Sequence, residues 1–302
     1  MENFLALKPI EKILAEAFPR IEQLCRESDW PLGITTGFKE LDEITAGLQP
    51  ATLTVIGGRP AMGKTALLLT ILRHIAFDTS CGVNNTIAFF SLETPNQQLM
   101  ERMLCLDADI SVCRLRSGSL CEAEWKALWK SCNHLNEANL YINDSNVLTT
   151  NTIREYLKDL SATQPVGVIA IDSLQALVAN TPKAKRDDEL DEIIRDLKAI
   201  SIEFNVPVII TSQLDRSLEE RYSKRPLLSD LGTSNYIVNV ADLVLLLYRE
   251  DYYEMETENQ NIAELILAKH RFGPTNTIFL FFQKETGKFR SLSFDKSKNR
   301  WE

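Results

Sequence analysis

Residues Gly58, Arg59, Pro60, Ala61, Met62, Gly63, Lys64 and Thr65 fit G-x-x-x-x-G-K-[ST], the spacing of a loop that wraps a phosphate chain. A polyphosphate needs unhindered backbone N–H groups and the positive end of a helix aimed at it. Gly58 and Gly63 permit the tight wrap, and Arg59 to Met62 form the span between them. Lys64 can reach the β- and γ-phosphates, and the Thr65 hydroxyl can hold Mg²⁺. An apolar run precedes the loop (51–57) and a helical pattern follows it (64–76), which is the strand, loop and helix context the motif requires.

Binding alone does not hydrolyse a nucleotide: a metal carboxylate and a group that activates water are also needed. In open parallel sheets ligands sit at the carboxyl ends of the strands, so the polar residue ending each apolar run is the place to look. The run 166–171 ends in Asp172, read as the carboxylate that orients Mg²⁺, or else as the N-cap of a following turn. The run 86–92 ends in Glu93, read as the general base that polarises an attacking water, or else as a helix-start glutamate before Thr94 and Pro95. The run 206–212 ends in Gln213, an uncharged donor and acceptor suited to sensing a γ-phosphate. No Asn-Lys-x-Asp stretch points to guanine, so ATP is the expected nucleotide.

The elements that must position these residues alternate. Strands are predicted over 51–57, 85–91, 138–142, 166–171, 206–212 and 241–248, with helices over 64–77, 95–105, 121–135, 150–161 and 187–204. This pattern predicts an α/β fold with a mainly parallel central sheet covered by helices on both faces. Strands over 262–269, 276–283 and 288–292, joined by short turns, predict an antiparallel C-terminal extension of that sheet. The acidic piece 250–260 reads as a solvated loop. Ahead of the core, Ile10, Ile13, Leu14, Ala17, Phe18, Ile21, Leu24 and Cys25 form a helical stripe interrupted by Pro19, which packs either on its own domain or on a neighbouring subunit. A turn-rich stretch from Trp30 to Leu41 separates the two, dividing the chain into an N-terminal helix (1–29) and a nucleotide-binding core (30–302).

At 302 residues, with 44% hydrophobic and 25% charged, the chain is long enough to bury one large core or two smaller ones. No run approaches the roughly 18 apolar residues of a membrane span. The N-terminus lacks a basic start and cleavage site, so no membrane partner and a cytoplasmic location are expected. The net charge of −9 argues against a surface coated for nucleic acid while leaving room for a local basic groove. Cys25, Cys81, Cys105, Cys113, Cys121 and Cys132 show no metal-binding spacing and are expected to be buried, reduced thiols. No metal beyond Mg²⁺ is indicated.

The whole set of motifs resembles the C-terminal motor domain of the DnaB-type replicative DNA helicases, a RecA-like P-loop fold. The matching stretches are Gly33-Ile-Thr-Thr-Gly-Phe-Lys-Glu-Leu-Asp, Thr45-Ala-Gly-Leu-Gln-Pro, Arg59-Pro-Ala-Met-Gly-Lys-Thr, Phe90-Ser-Leu-Glu and Arg102-Met-Leu-Cys. They continue through Ile171-Asp-Ser-Leu-Gln, Ser212-Gln-Leu-Asp-Arg-Ser-Leu-Glu, Lys224-Arg-Pro, Ala241-Asp-Leu and Lys269-His-Arg-Phe-Gly-Pro, covering about residues 10 to 292. The resemblance implies an ATP-dependent helicase or translocase that acts as a homo-hexameric ring on single-stranded DNA in replication, alongside other replication proteins. It implies Lys64 and Thr65 for phosphate and Mg²⁺, Asp172 for Mg²⁺ and Glu93 for the attacking water. It further implies Arg102 near the γ-phosphate, Gln213 as a relay toward the DNA-binding loop, and Lys269 with Arg271 as cations reaching the adjacent subunit's ATP site. By themselves Lys269 and Arg271 are two cations at a strand end.

Two departures from the family pattern bear on function. Only about thirty residues precede the motor, so the separate N-terminal domain of the family is expected to be missing, and with it that route to primase. The DNA-contacting loop reads Gly232-Thr-Ser-Asn235 and Ile237-Val-Asn-Val-Ala-Asp242, lacking the family's arginine and glycine. Lys183, Lys185 and Arg186, and Arg216, Arg221, Lys224 and Arg225, are either solvated loop charges or compensating DNA contacts. Two alternatives to a helicase stand beside it: a RecA-like recombination or loading ATPase, and a nucleotide-binding relative that regulates a full-length helicase.

Overall fold

The computed structural model describes residues 9–12, 14, 15, 18, 33–78, 86–232, 236–292, 294, 295, 300 and 301. Most of the helix expected over 10–25 lies outside the described residues, as do Cys25, Cys81 and residues 233–235 of the expected DNA-contacting loop. Of the N-terminal stripe, Ile10, Leu14 and Phe18 are exposed.

The chain builds β1 (Leu53–Gly58), β2 (Ile87–Ser91), β3 (Leu140–Asn143), β4 (Val168–Asp172), β5 (Val208–Gln213) and β6 (Leu243–Tyr248). It then adds β7 (Ile262–His270), β8 (Asn276–Gln283) and β9 (Lys288–Ser291). All join one nine-stranded sheet in the order β3-β2-β4-β5-β1-β6-β7-β8-β9, parallel as far as β6 and antiparallel beyond it. A short ribbon, β10 (Phe294–Asp295) with β11 (Arg300–Trp301), stands apart.

Alternation along the strands explains why these runs are apolar throughout. Val168 and Ala170, Phe89, Ile209, and Leu243, Leu245 and Leu247 enter a core on one face of the sheet. Ile169 and Ile171, Phe90, Val208 and Ile210, and Val244 and Leu246 enter a second core on the other. A strand buried on both faces has no polar side to show, which is the mark of a parallel sheet layered with helices.

The helices divide accordingly. On the first face lie α1 (Lys39–Thr45), α2 (Lys64–Phe77) and α3 (Asn96–Ala108), with α4 (Val112–Ser117) and α5 (Glu122–Asn136) outside them. The other carries α6 (Thr150–Ser161), α7 (Arg186–Glu203) and α8 (Tyr236–Val240). Leu67, Leu68, Leu69, Ile71, Leu72 and Ile75 leave α2 apolar nearly all round, and it is correspondingly buried. No helix among the described residues is long and apolar enough to cross a membrane.

The observed elements differ from expectation in places that have physical reasons. Strands β1, β4 and β5 each start two residues later than their apolar runs, because Ala51 takes a positive φ of 55° and Pro207 and Gly167 are poor strand residues. The turn-rich stretch 30–41 runs into α1, where the Thr36 N–H donates to Asp42 Oδ1 at 2.9 Å and the Thr36 hydroxyl at 2.8 Å. The 250–260 segment is not simply solvated. Asp251 is buried between Arg249 (3.1 Å) and Lys284 (2.7 Å), and Tyr253 packs against the core. Cys105 is buried, and burial pushes its thiol up to about 11; Cys113, Cys121 and Cys132 are exposed, on α4, ahead of α5 and on α5, contrary to the expectation of buried thiols.

Candidate active site

Strand pairing aligns the polar ends of four strands. Gly58 stands opposite Gln213 and Ser91 opposite Asp172. From β1 the chain crosses to β2 on one side, whereas β6 flanks β1 on the other, so the loop after β1 sits where the strand order switches.

The 58–65 loop closes tightly. Gly63 has φ +104°, and a Cβ there would lie 3.1 Å from the Phe289 ring. At Gly58 a Cβ would come within 3.2 Å of the Lys64 stem. Two buried arginines brace the loop from behind. Arg59 is buried, its Nε donating to Glu219 at 2.9 Å and its Nη1 to the Leu214 carbonyl at 2.8 Å. Arg249, whose guanidinium lies 4.4 Å from the Phe282 ring centroid, donates to the Ala61 carbonyl at 3.4 Å.

In front of the loop the charged groups converge. Asp172 is buried; its Oδ2 accepts from the Thr65 hydroxyl at 2.7 Å and its Oδ1 from the Thr211 hydroxyl. Glu93 is exposed and accepts from the Ser173 hydroxyl. Lys64, half-buried, donates from Nζ to the Arg59 carbonyl at 3.1 Å. Burial holds its ammonium below the usual lysine range, while Asp172 and Glu93 pull it back up and Arg59 pushes it down. A hydroxyl and a buried carboxylate 2.7 Å apart, with a lysine between two carboxylates, form the oxygen-rich donor set that a Mg²⁺-nucleotide fits.

The structure thus gathers Lys64, Thr65, Asp172 and Glu93, and sets Gln213 beside Gly58. It does not bring in Lys269 and Arg271. Arg102 lies half-buried on α3 with no hydrogen bond or ion pair among the described residues. Lys269 and Arg271 lie at the other end of the sheet, because β7 runs antiparallel to β6. Lys269 stands opposite Val244, and the Arg271 N–H donates to the Asp242 carbonyl at 2.8 Å. Asp242 in turn takes the N–H of Leu53, the first residue of β1, at 2.9 Å. The rise of β1 alone separates that end from the loop by about 17 Å.

Thr211, Ser173 and Arg249 were not singled out from the sequence. Thr211 carried a signal, being a polar residue inside an apolar run. Arg249 follows the last residue of β6, where the strand-end rule would have found it. The basic runs are mostly engaged: Lys183 with Glu192 (2.8 Å), Arg186 with Glu189 (2.7 Å), Arg221 with Asp230 (2.7 Å) and Arg225 with Glu264 (2.7 Å). Lys224 donates to the Glu219 carbonyl at 2.5 Å. Lys185 and Arg216 have no such partner among the described residues.

Comparison with known proteins accords with this geometry. The model of the DnaB-like helicase C-terminal domain matches residues 33–291. Replicative DNA helicase DnaC of Bacillus subtilis (strain 168) is 41% identical over 292 residues, covering 96% of this chain and 63% of that protein. Replicative DNA helicase DnaB of Geobacillus stearothermophilus is 41% identical over 295 residues, covering 97% and 64%. The chain therefore spans somewhat less than two thirds of the length of these relatives. A DnaB-like replicative helicase, whose structure was described with its interactions with primase, superposes with a TM-score of 0.86 at 31% identity, over 95% of this chain and 68% of that one. A separately solved ATPase domain superposes at 0.89 and 31% identity, over 95% of this chain and all of that one (100%). The chain belongs to the DnaB-like helicase C-terminal domain family.

Proposed function

We propose that this chain is an ATP-hydrolysing DNA helicase motor that works as a ring on single-stranded DNA during replication, in the cytoplasm. The observation that carries the proposal is the meeting of Lys64, Thr65, Asp172 and Glu93 at aligned strand ends. Thr65 and Asp172 would hold Mg²⁺, which would neutralise phosphate charge when bound. Gly58 to Gly63 wrap the phosphates with main-chain N–H groups, and Lys64 binds the terminal ones. Glu93 takes a proton from water, and Ser173 orients its carboxylate through the hydroxyl hydrogen bond. Arg102 and Gln213 are assigned to the γ-phosphate.

Lys269 and Arg271 are assigned to the neighbouring subunit's site, with a hexamer as the assembly. What supports this is their distance from their own loop: a cation at the start of β1 cannot serve a phosphate beyond its end, whereas a head-to-tail ring brings the two ends together. Steady-state ATPase rates with and without single-stranded DNA, measured beside the particle mass with nucleotide, test the proposal. Stimulation by single strands, weakening steeply with salt, and unwinding of a forked duplex are expected. Hydrolysis with an intact fork would sink the helicase reading.

The engagement of most basic residues favours a second reading, a RecA-like ATPase acting on a protein or on duplex DNA. Hydrolysis indifferent to single strands would select it.

A further inference from the structure

Gln175 lies one turn past Asp172, outside every role assigned above, yet its side chain reaches the end of the neighbouring strand. Along β5 the main-chain groups alternate in direction. Pro207, just before the strand, accepts from Ile169 at 3.1 Å on the β4 side, while the Val208 N–H donates to Thr52 at 2.9 Å on the β1 side. Leu214 likewise donates to Gly58 at 3.3 Å, so the N–H and C=O of Gln213 point toward β4. The β4–β5 ladder, however, stops at the pair Ile171 and Ile210. With no strand beside it, the last residue of β5 would leave both main-chain groups unmatched.

The Gln175 amide fills that place. Its Oε1 accepts from the Gln213 N–H at 3.1 Å, and its Nε2 donates to the Gln213 carbonyl at 3.3 Å and to the Ser212 hydroxyl at 3.1 Å. A primary amide offers the same donor and acceptor pair as a peptide unit. The backbone carrying it is itself fixed: Arg186, in the first turn of α7, donates to the carbonyls of Gln175 at 3.0 Å and Leu177 at 2.7 Å.

Holding β5 extended through its last residue has a consequence for side-chain direction. Residues two apart on a strand share a face. Thr211 donates to Asp172, so the Gln213 side chain is kept on the face that carries the metal carboxylate. We infer that Gln175 is a positioning residue for hydrolysis, a side-chain substitute for the missing β4 peptide that keeps Gln213 aimed at the γ-phosphate side. The inference rests on the reading of Gln213 given under the proposed function.

The test uses the full chain assembled with Mg²⁺-ATP and the variants Q175A, Q175E, Q213A and Q175A/Q213A. Q175A should lower kcat ~10-fold, since small misplacements of a positioned group are costly, and leave KM for ATP within about twofold. Q175E keeps the acceptor, loses the donor and should fall between. Hydrogen exchange at the Gln213 amide should speed up in Q175A, and the double variant should turn over no more slowly than Q213A alone. Multiplying effects in the double variant, or a raised KM with normal kcat, would overturn the inference. If Q213A turns over normally, the reading of Gln213 falls. A slow Q213A beside a normal Q175A overturns the inference while leaving that reading intact.

Discussion

The two ends of β1 each hold a buried aspartate, and the two are treated in opposite ways. Asp172, at the loop end, is bonded only by neutral hydroxyls, those of Thr65 and Thr211, and has no ion pair among the described residues. Asp242, at the far end, takes Lys198 at 2.6 Å, Arg271 at 3.1 Å and the Leu53 N–H at 2.9 Å. Hydroxyls satisfy an oxygen without cancelling its charge, so Asp172 keeps a negative charge available to a cation from outside the chain. The charge of Asp242 is already matched, and the group serves to tie α7, β1 and the segment after β7 together. Burial by itself therefore does not identify a metal carboxylate; the charge of its partners does.

The same contrast applies to the cations. Lys64 sits between two carboxylates with a single hydrogen bond, whereas Lys269 is fixed by the carbonyls of Val238 (2.6 Å), Asn239 (3.1 Å) and Ala241 (2.7 Å) at the end of α8. Burial holds the Lys269 ammonium below the usual range, with Asp242 pulling it up and Arg271 pushing it down. That helix takes in Ile237 to Val240, part of the segment expected to contact DNA.

The sharpest way to break the contrast is chemical. Glu93→Gln should slow ATP turnover by ~10²–10⁴-fold while leaving nucleotide affinity in place, read by steady-state rates and by titration with a fluorescent nucleotide. Unchanged turnover would remove Glu93 from the role of base. Next come the two aspartates, exchanged for asparagine in parallel. Asp242→Asn leaves Lys198 without its carboxylate and should cost about 2–4 kcal/mol of stability by denaturant titration. Asp172→Asn should leave stability nearly unchanged and instead abolish Mg²⁺-dependent turnover. Equal losses of stability in both would erase the distinction between the two ends.

A smaller effect is expected at the brace behind the loop. Arg59→Lys loses the planar fork that meets both Glu219 and the Leu214 carbonyl, and should cost about 1–2 kcal/mol, read by the same titration. A variant as stable as the parent would demote the brace to a passive contact.

The last effect is a slope in pH dependence and concerns a third buried carboxylate, Asp42. Burial pushes it up to about 6, against the pull of its Thr36 hydrogen bonds. The folded state then holds a proton that the unfolded chain has released. The contribution to stability is complete below pH 3.8, the ordinary value, and is lost as pH rises through about 6. The slope within that window is at most about 1.4 kcal/mol per pH unit. Stability measured between these limits should fall with pH, and Asp42→Asn should flatten the curve. A parent curve already flat there would mean that the Thr36 donors fully offset burial.

Much of the site is legible in local sequence. The loop motif carries its own spacing, and a polar residue closing an apolar run marks a strand end, which is why Asp172, Glu93 and Gln213 emerge from local pattern. The alternation of strands and helices dictates the layering, because a run buried on both faces has to be apolar throughout. What the sequence by itself determined is thus everything that depends on neighbours along the chain. Tertiary structure alone decided which charges remain available. Arg59 meets Glu219, Lys198 meets Asp242 and Gln175 meets Gln213 across separations that no local spacing encodes. Only the antiparallel return of β7 sets Lys269 and Arg271 at the end of the sheet opposite their own loop. The physical reason is that a charged group's role depends on what desolvates and neutralises it, and those partners are assembled by strand order rather than by sequence order.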